Sequence, residues 1–135
     1  MNTKYPHLFS PIKIGKVEVK NRIAMMPMGV FSPRLMNPDG SYSKDGADYY
    51  IERAKGGAGL IITGLVPAVG LLGMPHICAS PETYIENQKY LVEGVHKYGA
   101  KIFIQITALS GRSSVHPGDP APSVMPMVWD PTKYT

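Results

Sequence analysis

The feature that most constrains this fold occurs twice in the chain: an amphipathic helical pattern is halted by glycine and passes, within a few residues, into an unalternated apolar run. In "SKDGADYYIERAKGGAGLIIT", Ala47, Tyr50, Ile51 and Ala54 recur at helical spacing, with Ser43 suited to the N-cap and Gly56 to the stop. Gly59 to Thr63 follows without alternation, the pattern of a strand covered on both faces. In "SPETYIENQKYLVEGVHKYGAKIFIQI", Ser80 and Pro81 open a helix and Tyr84, Leu91, Val95 and Tyr98 mark one face. Gly99 closes that helix and Lys101 to Ile106 forms the next strand. Ahead of both lies Arg22 to Met26, an apolar run too short for a helix and bounded by Pro27, which predicts a buried strand. Strand, helix, strand, helix, strand predicts an α/β fold of right-handed βαβ units on a parallel sheet.

Before these units, Ile12, Ile14, Val17 and Val19 alternate around Gly15-Lys16 and predict a small hairpin. After them, Thr107 to Thr135 is broken by prolines and glycines and reads as an extended loop. The loops that follow the strands are long, whereas the helix-to-strand connections, Gly56 to Ala58 and Gly99 to Ala100, are very short. In parallel α/β proteins the loops at the carboxyl ends of the strands hold the site, and the opposite end is kept compact. Function is therefore expected just after Met26, Thr63 and Gln105.

A length of 135 residues with 44% hydrophobic and 18% charged residues predicts one globular domain or part of one. The net charge of +4 is spread over single basic residues without a stripe, which argues against nucleic acid. Cys78 is the only cysteine, so no internal disulfide or cysteine-based metal centre forms within this sequence, and a reducing cytoplasm fits. His7, His76, His96 and His116 share no metal-ligand spacing, so no metal site is expected. The start of the chain lacks the apolar core of a signal peptide. The most apolar stretch, Gly59 to Met74, is too short and too rich in glycine to span a bilayer.

"GGAGL" precedes a strand, while a phosphate-cradling glycine motif follows one, so these glycines are read as a helix stop with close packing. No nucleophile elbow surrounds a serine, and no catalytic acid or base stands out. What the strand ends offer is a place for a flat, polar-edged ring. Gln105 carries a carboxamide able to donate and accept in one plane; its alternative use is to satisfy loop backbone. Met26, Pro27, Met28 and Gly29 combine close-approaching backbone with polarizable thioethers, although methionines also simply fill irregular cores.

Three blocks, "LFSPIKIGKVEVKNRIAMMPMG", "YYIERAKGGAGLIITG" and "KIFIQITALSGR", resemble in order the amino-terminal part of the old yellow enzyme family of FMN-dependent oxidoreductases. The chain is most similar to the branch of 2,4-dienoyl-CoA reductase, enoate reductases and bile-acid-inducible NADH:flavin oxidoreductases. The resemblance implies residues 1–135 to be the amino-terminal portion of one TIM (β/α)8 barrel domain, about three βα units plus an N-terminal hairpin, with no second domain. It implies FMN contacts at Met26, Pro27, Met28 and Gly29, at Gly64 or its neighbour Leu65, and at Gln105 on the flavin pyrimidine edge.

By the same resemblance NAD(P)H is the reductant and a small enone or enoyl compound the substrate. The run "QITALSGR" lacks the histidine that many relatives carry after the glutamine, and Arg112 is left without a role. A barrel of about 250 residues would place the catalytic residues, the FMN-phosphate site and any iron-sulfur or FAD module outside these 135 residues. The leading expectation is part of an ene-reductase-type enzyme. Its alternative is a truncated or half-barrel chain that is inactive alone and needs a missing barrel half or self-association. A related barrel serving another ligand is a third reading, against which Gln105 and the Met26 to Gly29 turn argue.

Overall fold

The computed structural model describes residues 4–29, 32, 34–67 and 81–107. Its elements are β1 (Ile12–Ile14), β2 (Val17–Val19), β3 (Ala24–Met25), α1 (Lys44–Lys55), β4 (Leu60–Pro67), α2 (Pro81–Lys97) and β5 (Lys101–Thr107). β1 and β2 form the expected antiparallel hairpin, with Ile14 opposite Val17 and Gly15 taking the turn at φ 60°. β3, β4 and β5 make a parallel sheet in that order, as the alternation of strands and helices predicts.

α1 begins where Ser43 Oγ accepts the Gly46 N–H at 3.2 Å and ends where the Gly56 N–H reaches the Glu52 carbonyl at 2.9 Å. Ala47, Tyr50 and Ala54 form its buried face. Gly57, at φ 111°, reverses the chain straight into β4. α2 closes at Gly99, whose φ of 69° is a conformation glycine adopts without strain. The expected cap Ser80 lies outside the described residues, as does the loop expected after Thr107. Both helices pack on one face of the sheet around Tyr50, Ile61, Val66, Leu91 and Val95, each about 1.5–3 kcal/mol of apolar burial.

The hairpin closes the amino ends of the strands. Lys20 Nζ donates to the Tyr98 carbonyl at 2.6 Å, Asn21 Nδ2 donates to the Gly57 carbonyl at 2.8 Å, and Asn21 Oδ1 accepts the Ile23 N–H. Gly59 has no room for a side chain, because a Cβ there would stand 3.0 Å from Val19 Cγ1. The short helix-to-strand connections are thereby tied down by side chains from the start of the chain.

Two strands differ from their sequence reading. The expected buried strand Arg22 to Met26 is only Ala24–Met25, with Arg22, Ala24 and Met26 exposed. Among the described residues β4 is its one strand partner. β4 in turn runs past Thr63 to Pro67, and nearly all of it is buried, as an unalternated run predicts.

α2 buries one residue the sequence reading missed. Gln88 completes the stripe Tyr84, Gln88, Leu91, Val95, and its amide, like the Tyr84 hydroxyl, has no hydrogen-bond partner among the described residues. Burial, then the charge of Asp39 and the presence of Tyr50, push the Tyr84 phenol up to about 12. A raised phenol contributes stability that is complete below the ordinary value of 10.0 and lost as pH rises through about 12. Tyr84→Phe should therefore flatten the alkaline loss of stability and raise stability at neutral pH by about 1 kcal/mol, read from urea melts across that range. A less stable phenylalanine chain would show that the hydroxyl is satisfied after all.

Candidate functional site

Geometry at the carboxyl ends of the strands is set by an irregularity in β4. Ile62 pairs with Phe103 and Leu65 pairs with Gln105, so β4 spends two residues, Thr63 and Gly64, where β5 spends one, Ile104. Such a bulge changes which face every later side chain takes. In an uninterrupted strand Leu65 would join the helix side and Val66 the opposite face. Here Val66 is packed in the helix-side core, while Leu65 shares with Gln105, Ile62 and Phe103 the face turned away from the helices.

The same face receives the first loop. Met25 pairs with Ile61 and packs on the helix side, so alternation carries Met26 to the open face. Met26 is 63% exposed and Met28 56%, so neither fills the core formed by the described residues. At Gly64 the backbone of Met28 and Gly29 lies directly against β4: a Cβ would collide with the Met28 carbonyl oxygen and stand 3.1 Å from Gly29 Cα. Glycine is needed for that approach, not for its dihedral freedom. The structure thus brings Met26 to Gly29, Gly64 and Gln105 to one end of one sheet. Gln105 is exposed there, and its carboxamide takes no hydrogen bond from the described residues, so the alternative of satisfying loop backbone finds no support among them.

Behind the bulge lies a hydroxyl cluster that sequence reading did not foresee. The Gly64 N–H donates to Tyr50 Oη at 3.0 Å, and Tyr50 Oη donates to Tyr42 Oη at 3.2 Å. The Gly64 carbonyl accepts from Tyr42 Oη at 3.4 Å and from Thr63 Oγ1 at 2.9 Å. Thr63 Oγ1 in turn accepts the Gln105 N–H at 3.2 Å. Three side-chain hydroxyls therefore serve the backbone N–H and C=O groups at the point where the ladder's register shifts. Burial, followed by the Tyr50 hydrogen bond, raises the Tyr42 phenol far above its ordinary range, so it stays a neutral donor.

The loop before α1 holds Tyr42 in place. Asp39 accepts from Ser41 N–H at 3.0 Å and from Asn87 of α2 at 2.9 Å, and Asn37 Nδ2 reaches Ser41 Oγ and the Tyr42 carbonyl. Burial alone would raise the Asp39 carboxyl, but the Ser41 and Asn87 hydrogen bonds outweigh it and hold the group below its ordinary value. Tyr42 and Tyr50 meet edge to face at 5.0 Å. Among the described residues no group of His, Cys, Asp and Glu is arranged to hold a metal ion, and no helix is long and apolar enough to cross a membrane.

Comparison with known proteins gives this geometry a context. The model of the NADH:flavin oxidoreductase / NADH oxidase family matches residues 7–131. The chain is 44% identical over 121 residues to the cinnamate reductase of Clostridium sporogenes, covering 85% of this chain and 18% of that protein. It is 43% identical over 110 residues to the NADH oxidase of Thermoanaerobacter brockii, covering 77% of this chain and 16% of that protein. Among solved structures, the Old Yellow Enzyme of a Pichia species superposes with a TM-score of 0.64 at 34% identity, over 80% of this chain and 28% of that one. The chain thus spans under a fifth of the length of those two curated relatives. Its βα units correspond to part of a TIM barrel, the fold class expected from the sequence.

Proposed function

Because the chain belongs to the NADH:flavin oxidoreductase / NADH oxidase family, we propose that it supplies one wall of an FMN site in an NAD(P)H-dependent oxidoreductase of the ene-reductase type. The observation that carries this reading is the convergence of Met26 to Gly29, Gly64 and Gln105 on one open face at the carboxyl ends of neighbouring parallel strands. Ligands in such folds bind at that end.

The residues fit the ring they would meet. Gly64 lets the Met28 and Gly29 backbone lie against β4, Met26 and Met28 offer thioethers to the ring's face, and the Gln105 carboxamide, unpaired among the described residues, suits a ring edge carrying N–H beside C=O. When bound, FMN supplies the hydride chemistry, from NAD(P)H to the β-carbon of an activated alkene such as an enone or enoyl compound. This chain's residues bind the ring, orient it and exclude water from the sheet side. Protonation of the product, and any further iron-sulfur or FAD module, are assigned to none of these residues. Residues 1–135 are read as a portion of one barrel domain, working in the cytoplasm.

A second reading is favoured by the apolar residues left open on both faces of β5, Phe103 on one and Ile104 and Ile106 on the other, together with Met26 and Met28. On that reading the wall binds flavin only when further barrel strands cover it. Titrating FMN with the 135-residue chain and following flavin fluorescence separates the two. Quenching that saturates as the chain is added is expected; unquenched flavin would leave the second reading in place of the first.

A further inference from the structure

The hydroxyl cluster behind β4 does more than fill hydrogen bonds, because both residues it grips face the proposed flavin. Gly64 uses its N–H on Tyr50 and its carbonyl on Tyr42 and Thr63, and Gln105 uses its N–H on Thr63. A regular ladder would pair these groups with the neighbouring strand and remove the bulge. The bulge is what sets Leu65 beside Gln105 on the open face and lets Gly64 meet the Met28 backbone. Three elements distant in sequence, the loop before α1, α1 itself and β4, each give one hydroxyl to this purpose.

We infer that Tyr42, Tyr50 and Thr63 are positioning residues for the flavin site, holding Gly64 and Gln105 at the spacing the cofactor ring requires without touching it. This rests on the flavin reading above. Their separate attachments make the inference testable residue by residue. Of the three hydroxyls, Tyr50 takes the Gly64 N–H and Thr63 takes the Gln105 N–H.

The test uses the whole chain with Thr63→Val, which keeps the side chain's shape without its hydroxyl, Thr63→Ser, which keeps the hydroxyl, and Tyr50→Phe. Amide exchange is followed by NMR, and FMN affinity by fluorescence titration. Thr63→Val is expected to speed exchange at Gln105 about tenfold, and Tyr50→Phe to do the same at Gly64. FMN affinity should fall about tenfold in Thr63→Val and stay within about twofold in Thr63→Ser.

If only packing matters, valine will match the parent chain and serine will be the weaker; that result overturns the inference. So does an unprotected Gly64 or Gln105 amide in the unsubstituted chain. Protected amides in an unsubstituted chain that leaves FMN unbound would instead overturn the flavin reading, and the cluster would then be a fixture of the fold alone.

Discussion

A Gly64→Ala chain is expected to lose FMN affinity by about tenfold or more and stability by about 1–3 kcal/mol. The added Cβ would collide with the Met28 carbonyl oxygen and come 3.0 Å from its carbon, both backbone atoms rather than the end of a flexible side chain. Either β4 or the Met26 to Gly29 segment must retreat, and each is a wall of the proposed site. If β4 is the one to move, the hydrogen bonds that Tyr42, Tyr50 and Thr63 make to Gly64 are disturbed as well. Urea unfolding and a flavin titration on the same sample give both quantities. Unchanged affinity in a destabilised chain would separate Gly64 from the cofactor and leave it a packing residue.

Gly46→Ala should destabilise the chain by about 1–2 kcal/mol even though alanine is the better helix former by about 1 kcal/mol. Gly46 lies in the first turn of α1, and a Cβ there would strike the Leu35 carbonyl oxygen and stand 3.3 Å from Tyr42 Cβ. Helix propensity and packing thus pull in opposite directions, and the backbone collision is the larger of the two. Because the Ser43 N–H is held by the Leu35 carbonyl at 3.0 Å, the displaced loop carries the α1 cap and Tyr42 with it. A thermal or urea melt showing equal or greater stability would mean that this loop yields freely, and with it the anchoring assigned to Tyr42.

Much of the fold can be read from local pattern because its signals are local. Ser43 and Gly56 bound α1 as their chemistry predicts, and the alternation around Gly15-Lys16 is a hairpin. Strand order follows from the short connections at Gly57 and Gly99. The misreadings have a common cause: they depend on what stands across from a residue. Arg22 to Met26 is apolar enough for burial, yet among the described residues it pairs with β4 alone and leaves Arg22, Ala24 and Met26 exposed. Gly64 looks like the end of a strand in sequence, and it is a bulge within one, visible only against β5.

The candidate site divides the same way. Gln105 and the Met26 to Gly29 turn were legible as strand-end residues, and resemblance attached them to flavin. Tyr42 and Tyr50 were not, since Tyr50 reads as one more apolar position of α1 and no pattern in the sequence marks Tyr42. Their hydroxyls meet through a bond spanning eight residues and reach Gly64 from 22 and 14 residues away. Gln88 escaped for the opposite reason, a polar side chain set within an apolar stripe.

The hairpin's attachments also order events in time. Lys20 bonds to Tyr98, 78 residues later, and Asn21 to Gly57, 36 residues later. The Gly57 acceptor needs only α1 turned back toward the sheet, whereas the Tyr98 acceptor needs α2 as well. The Lys20 bond therefore waits until the loop-closure entropy of both βα units has been overcome. A nascent chain would hold its opening residues in waiting, and a chain shortened at its start would assemble the helices yet lack the latch that closes them.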